Sequence, residues 1–118
     1  IGRYVDHIYI LCMDCSNVTS RLPTNWPMEN TSLFHGDRYD ACMANMTRDA
    51  HGDSIKHNWL AGRAHMAIIL DAQERGFASH MVIEEDYEFL RRWWTSSDVL
   101  AFLRLLDTKD WSSAKMGW

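Results

Sequence analysis

The chain has 118 residues with 47% apolar and 24% charged side chains, a balance typical of one folded domain and not of a disordered chain. The formal charge is −4 and no block of Lys and Arg is present, so a nucleic-acid backbone is excluded as the expected partner. No apolar run reaches the roughly 18 to 20 residues of a membrane span, and because the sequence opens at Ile1 we expect a piece of a longer protein or a mature form.

The first half of the chain predicts two short strands separated by a loop, followed by a helix. Residues 7–13, HIYILCM, are apolar and include β-branched side chains, as in a buried strand. Prolines and asparagines between 23 and 30 indicate a loop, and 32–34 predict a second short strand. Residues 37–48 predict a helix.

The longest predicted helix covers residues 54–75. Ser54 can cap its first turn, and Gly76 is well placed to end it. The large apolar side chains of this segment recur close to a 3.6-residue period, which predicts a stripe that faces the core. The stripe consists of Ile55, Trp59, Met66, Ile69 and Leu70.

Beyond this helix, residues 79–83 predict a strand whose apolar run is continuous, as in buried parallel strands. Residues 95–98, TSSD, form a capping box before a helix with apolar residues between 99 and 106. Residues 111–118 predict the approach to a further strand. Strands that alternate with helices predict a single α/β domain over 1–118, with a Rossmann-like, mainly parallel sheet flanked by helices.

Three acidic residues, Glu84, Glu85 and Asp86, directly follow the last complete strand. Open α/β sheets bind ligands beyond the carboxyl ends of their strands. Alternate residues of an extended segment share a face, so we expect Glu84 and Asp86 to point one way and Glu85 the other. Two carboxylates on one face can hold a divalent cation that clamps a diphosphate. Taken alone, the acids favour a simpler interpretation, a solvated strand end.

A longer segment, LAGRAHMAIILDAQERGFASHMVIEEDYEF at 60–89, resembles the central part of family-25-type glycosyltransferases, which include lipopolysaccharide-biosynthesis and collagen galactosyltransferases. The match includes His65, Gly76 at the helix end, and the strand that leads into the acids. The opening HIYILCMD is similar to the family's first strand, with Asp14 in register, and DWSSAKMG is similar to a later strand. Together these motifs touch most of the chain in the family's order.

The resemblance implies a glycosyltransferase A-type fold, with this chain as the N-terminal part that binds a nucleotide-sugar donor through Mn²⁺ or Mg²⁺. The family's Asp-x-Asp-like metal element maps onto Glu84 and Asp86. Asp14, His65 and Arg21 are the implied residues of the nucleotide and donor pocket. The match leaves the sugar or protein acceptor unidentified, and it implies a catalytic base beyond the end of this sequence.

Several positions depart from the family pattern. Leu60 and Ala61 replace the Gly-Cys of the helix start, and Ala64 replaces the Ser before the histidine. Cys15 and Ser16 stand where basic residues usually follow the first strand's Asp. An alternative function therefore stays open, a non-catalytic α/β binding or scaffold domain that has lost the donor site.

Cys12 and Cys15 have the C-x-x-C spacing of thiol-redox sites and of half a zinc site. An aromatic residue before the first cysteine and a second ligand pair are both missing from the sequence, so we expect free, small apolar cysteines. We expect Trp93 and Trp94 to pack beneath a helix rather than to stack on a sugar.

Glycosylation sequons begin at Asn17, Asn30 and Asn45. With a eukaryotic source they indicate the lumen of the secretory pathway. With a bacterial source they carry no meaning, and a cytoplasmic location is expected. The sequence alone leaves the location open.

Overall fold

The computed structural model describes residues 5–36, 53–85 and 97–108, together with the single positions 110 and 113. Three strands and two helices make up these segments: β1 (His7–Cys12), β2 (Thr31–His35), α1 (Asp53–Glu74), β3 (His80–Glu84) and α2 (Ser97–Thr108). Short 3-10 turns at Thr19–Arg21 and Met28–Asn30 lie between β1 and β2. The predicted α/β class is confirmed.

The described strands form one parallel sheet with the order β2-β1-β3. Tyr9 in the centre of β1 pairs with Ser32 on one side and Val82 on the other. All six residues of β1 are buried. This burial explains the continuous apolar run of the sequence, because a central parallel strand is covered on both faces.

A different segment of the chain packs on each face of the sheet. Helix α1 covers one face, where its small and branched side chains pack against Tyr9 and Leu11 of β1. The loop between β1 and β2 covers the opposite face, where Val18 and Trp26 pack against the even-numbered residues of β1. The sheet is therefore sandwiched between a helix and a loop.

The predicted buried face of α1 is wrong. Met66, Ile69 and Leu70 are 59%, 46% and 59% exposed, respectively. The buried residues of α1 that the structure describes are Ala64, Ile68 and Ala72. They lie four residues apart, and the two alanines are small enough to bring the helix axis close to the strands. The side chains of Ile55 and Trp59 lie outside the described residues.

The predicted end of α1 at Gly76 is confirmed, and the structure shows how it works. Gly76 has a φ of 76°, in the left-handed region that glycine adopts without strain. Its N–H donates to the Gln73 carbonyl, and the Phe77 N–H donates to the Ala72 carbonyl. These are the two hydrogen bonds of a Schellman motif, and the accompanying apolar contact is Phe77 against the core.

Other predictions lie wholly or partly outside the described residues. They concern the helix at 37–48, the capping side chains at 95–98, Trp93 and Trp94, and the strand at 111–118. Strand β1 ends one residue earlier than predicted, because the chain turns after Cys12. Among the helices that the structure describes, none is long and apolar enough to cross a membrane.

Candidate functional site

The carboxyl ends of the three parallel strands lie together, and we call this side of the sheet the carboxyl edge. Cys12 at the end of β1 pairs in register with His35 at the end of β2, and Leu11 pairs with Glu84 at the end of β3. The predicted donor-site residues Asp14, Arg21 and His65 must reach this edge if they are to act together.

His65 and Glu84 meet at the carboxyl edge. His65 follows the buried Ala64 on α1, and Glu84 is on the same face of β3 as Val82, which packs on the α1 cluster. The His65 Nε2 atom is 3.0 Å from Glu84 Oε1, and the two side chains are 39% and 53% exposed. The contact joins helix to strand, and both groups remain open to solvent.

Glu85 lies on the opposite face from Glu84, as the alternation predicts. Its backbone N–H extends the ladder by donating to the Leu11 carbonyl at 2.9 Å. Its side-chain Oε2 accepts a hydrogen bond from the Asp14 N–H at 3.3 Å. Glu85 therefore fixes the loop that follows β1 to the end of β3.

The carboxylate of Asp14 is held by a neighbouring serine. It accepts hydrogen bonds from the Ser16 hydroxyl at 2.6 Å and the Ser16 N–H at 3.0 Å. These bonds lower the pKa of Asp14 below its ordinary value, because they stabilise the charged form. Asp14 therefore stays ionised and adds negative charge to the edge.

Arg21 reaches the same edge, beside a shallow depression of about 20 Å³. Glu84 and Glu85 line this depression together with apolar side chains that include Ile10 and Leu22. A volume of this size holds about one water molecule, whereas small-molecule sites are typically on the order of 300 to 1,000 Å³. Any nucleotide bound here would lie mainly across the surface.

The structure thus brings Glu84 next to His65, and Asp14 next to Glu85, and Arg21 lines the same depression as both acids. Asp86, the second predicted metal ligand, lies outside the described residues. Within the described segments, no group of three or more His, Cys, Asp or Glu side chains is arranged to hold a metal ion.

The expectation of free cysteines is wrong for two of them, because a disulfide joins Cys12 to Cys15. The Cα atoms are 5.3 Å apart, a normal separation for a disulfide, since the turn after β1 brings them close. His35 lies beside the pair, with Nδ1 3.6 Å from Cys15 Sγ. The C-x-x-C spacing signalled the pair, whereas the position of His35 depends on strand register.

The opposite side of the sheet, the amino edge, holds a second polar cluster that the sequence did not predict. The Tyr9 hydroxyl donates to Asp71 Oδ2 at 2.6 Å, and Arg75 is 3.5 Å from the same oxygen. Burial, and then the bond to Asp71, raises the pKa of Tyr9 to about 12. Since Tyr9 and Asp71 are 62 positions apart in the sequence, their contact depends on how α1 is placed.

His7 is the buried member of the amino edge, at 6% exposure. Its ring stacks on Phe77 at 4.6 Å between centroids, and its Nε2 atom hydrogen bonds with the Ser32 hydroxyl. Burial, followed by the nearby positive charge of Arg75, lowers the pKa of His7 below its ordinary value. The structure therefore favours a neutral imidazole at this position.

Comparison with known proteins adds no relative to this description. No protein-family model, curated protein or solved structure gives a significant match to the chain. A function for this chain therefore has to be inferred from the geometry of the two edges and from the sequence resemblance.

Proposed function

We propose that the carboxyl edge binds the diphosphate of a nucleotide-sugar donor together with a divalent cation, as the resemblance to family-25-type glycosyltransferases implies. The observation that carries the proposal is the contact between His65 and Glu84. The resemblance assigns both to the donor site, they are 19 positions apart in the sequence, and their side chains are 3.0 Å apart. They meet on the side of the sheet where open α/β folds bind ligands.

The donor atoms at this edge suit Mn²⁺ or Mg²⁺. These ions are commonly bound through one or two carboxylates, with phosphate oxygens and water completing the coordination. Glu84 supplies one carboxylate, and Asp86 is the proposed second. Imidazole is an acceptable ligand for a first-row metal, so His65 can bind directly or hold Glu84 in place. When bound, the cation neutralises charge that develops on the leaving diphosphate.

The other residues of the edge have distinct roles in this proposal. Arg21 lines the same depression as Glu84 and Glu85. Its guanidinium can contact the phosphates through two parallel hydrogen bonds. Asp14 is proposed to contact the nucleotide through the loop that Ser16 and Glu85 hold. Glu85 points to the other face and acts as a support for that loop.

A second function, a non-catalytic binding or scaffold domain, is favoured by a specific observation. The polar groups of the edge already satisfy one another, since His65 pairs with Glu84 and Glu85 accepts from the Asp14 N–H. The depression between them has room for about one water molecule. In this alternative, the contacts hold the ends of β1, β3 and α1 together and bind no donor.

Calorimetric titration of Mn²⁺, with and without uridine diphosphate, separates the two functions. The matched variants are Glu84→Gln at the carboxyl edge and Glu29→Gln, which removes the same charge from an exposed residue just before β2, at the amino edge. We expect Glu84→Gln to weaken Mn²⁺ binding by about tenfold or more, and Glu29→Gln to leave it unchanged.

Uridine diphosphate should strengthen Mn²⁺ binding by the wild type, because its phosphate oxygens complete the coordination. If the wild type binds no Mn²⁺ even with the diphosphate present, donor binding is refuted and the scaffold function is favoured. If both variants weaken binding equally, the cation is attracted by overall negative charge and the assignment of Glu84 is wrong.

A further inference from the structure

We propose that the Cys12–Cys15 disulfide is a thiol–disulfide exchange site, with Cys15 as the sulfur that forms the mixed disulfide with a low-molecular-weight thiol. This activity is separate from donor binding. Its first support is an asymmetry between the two sulfurs. Cys12 is 1% exposed and packs in the core with Ile10 and Val18, whereas Cys15 is only partly buried.

The loop between the cysteines gives an incoming thiol access to Cys15. Met13 is 51% exposed, and Asp14 is also exposed, so the turn that joins the sulfurs faces solvent. A nucleophile approaching from solvent meets Cys15, while the body of the sheet protects Cys12. Attack on one defined sulfur is what distinguishes an exchange site from a disulfide buried on both sides.

His35 supplies a charge partner for the sulfur that reacts. It is the register partner of Cys12 on the neighbouring strand, and its Nδ1 atom is 3.6 Å from Cys15 Sγ. A protonated imidazole beside a cysteine stabilises the thiolate, which is both the nucleophile and the leaving group in exchange. His35 is therefore placed to favour breakage and formation of bonds at Cys15.

Gly36 marks where the end of β2 meets the cysteine turn. It is buried directly after β2, and a Cβ atom at this position would lie 2.9 Å from Met13 Sδ and 3.5 Å from Leu11 Cδ1. The Met13 side chain of the cysteine turn therefore packs directly against the residue that follows His35. His35 and Cys15 thus belong to two chain segments that are packed closely together.

The reaction balances with two equivalents of the small thiol. A thiolate RS⁻ attacks Cys15 Sγ, the Cys12–Cys15 bond breaks, and Cys12 leaves with the electron pair and takes a proton from water. A second RS⁻ attacks the outer sulfur of the RS–Cys15 mixed disulfide, and Cys15 leaves as a thiolate beside His35. Two small thiols are oxidised to RSSR, and the protein pair gains two electrons.

Stabilisation of the fold is a weak alternative reason for this disulfide. Its sequence separation is 3. The entropy that a disulfide removes from the unfolded chain increases with the length of the loop it closes, so this one removes little. The disulfide joins the end of a strand already paired on both sides to the turn that follows it.

Single-cysteine variants test which sulfur reacts. Both variants carry Cys42→Ser. With Cys12→Ser added, Cys15 is the single remaining cysteine, and with Cys15→Ser added, Cys12 is the single remaining cysteine. The probe is the aromatic disulfide dithiobis-nitrobenzoate, and the measured quantity is the rate of thionitrobenzoate release at pH 7. We expect Cys15 to react at least about tenfold faster than Cys12, because buried thiols are unreactive. Equal rates in two folded variants would overturn the proposal.

Adding His35→Gln to the Cys12→Ser variant tests the charge partner. The substitution should slow thionitrobenzoate release, and His35→Lys, which keeps a positive charge beside the sulfur, should release it faster than His35→Gln does. Equal rates in the two variants would remove His35 from the mechanism.

The unmutated chain provides a readout that does not depend on the folding of a variant. We expect reduced glutathione in excess to open the Cys12–Cys15 bond with the circular dichroism spectrum unchanged, and tandem mass spectrometry to place the trapped glutathione on Cys15. A bond that stays closed in glutathione would refute an exchange site and identify a structural crosslink. An adduct mainly on Cys12 would refute the assignment of Cys15 as the sulfur that reacts.

Discussion

The amino edge and the carboxyl edge lie at opposite ends of the same strands and differ in how their polar side chains are paired. At the amino edge, Asp6 accepts hydrogen bonds from the Ala78 and Ser79 N–H groups, and Tyr9 donates to an aspartate on α1. At the carboxyl edge, the contact between His65 and Glu84 joins side chains that are both over one-third exposed. The amino edge instead contains two buried polar side chains, His7 and Tyr9, which are 6% and 1% exposed. The amino edge is therefore closed at its centre by its own side chains, and the carboxyl edge stays accessible at His65 and Glu84.

This difference indicates that the amino edge contributes to the stability of the fold and that the carboxyl edge is available for binding or catalysis. Buried hydrogen bonds in a low-dielectric environment hold elements rigidly, and their loss leaves polar groups unsatisfied. Exposed pairs contribute little to folding, so their residues are free to serve a ligand. We therefore expect substitutions at the amino edge to change stability, and substitutions at the carboxyl edge to change binding or reactivity.

The largest expected effect comes from Ile68, which anchors α1 between the two edges. Its side chain is 0% exposed, and its helix carries His65 to one edge and Asp71 to the other. We expect Ile68→Ala to lower the free energy of unfolding by about 2 to 5 kcal/mol, because it leaves a cavity against β1. Urea denaturation measures the change.

The neighbouring Ile69 is the matched control for this prediction, since it has the same side chain at 46% exposure. We expect Ile69→Ala to change the free energy of unfolding by about 0.5 kcal/mol or less. If Ile69→Ala were the more damaging substitution, α1 would be rotated relative to this structure, and the placement of His65 and Asp71 at opposite edges would be wrong.

A direct comparison of the edges pairs Tyr9→Phe with Glu84→Gln. Tyr9→Phe removes the 2.6 Å hydrogen bond to Asp71 at the amino edge. We expect it to cost about 1 to 3 kcal/mol, because a carboxylate oxygen loses its closest donor. Glu84→Gln should change stability by about 0.5 kcal/mol or less, because both members of its pair are exposed. Similar losses from the two substitutions would contradict the division between a closed and an open edge.

Local sequence patterns predicted the described strands and the end of α1 well, because neighbouring residues determine these features. The apolar run of β1, the stop at Gly76 and the opposite directions of Glu84 and Glu85 all follow from residues close in sequence. The buried face of α1 could not be predicted in this way. Hydrophobicity favoured the large Ile69, whereas the packed face depends on small residues that let the helix approach the sheet.

Contacts between segments that are far apart in the sequence could not be predicted either. Tyr9 and Asp71 are 62 positions apart, and His35 reaches Cys15 only because β2 pairs in one register with β1. Nothing in the composition of either segment indicates such a contact. The resemblance to glycosyltransferases placed His65 and Glu84 in one site, but the hydrogen bond between Asp14 and Glu85 depends on how the turn after β1 meets the end of β3.

The smallest expected effect is a dependence of stability on pH that originates at the amino edge. The pKa of His7 is lowered from 6.5 in the folded chain, so below pH 6.5 the unfolded chain binds more protons and stability falls as pH falls. Thermal unfolding between pH 7.5 and 5 should show this loss in the wild type and a weaker loss in His7→Phe, which keeps a ring against Phe77 but cannot titrate. His65→Gln, at the carboxyl edge, should retain the wild-type loss. If His65→Gln abolished it and His7→Phe did not, the proton-sensitive group would lie at the open edge.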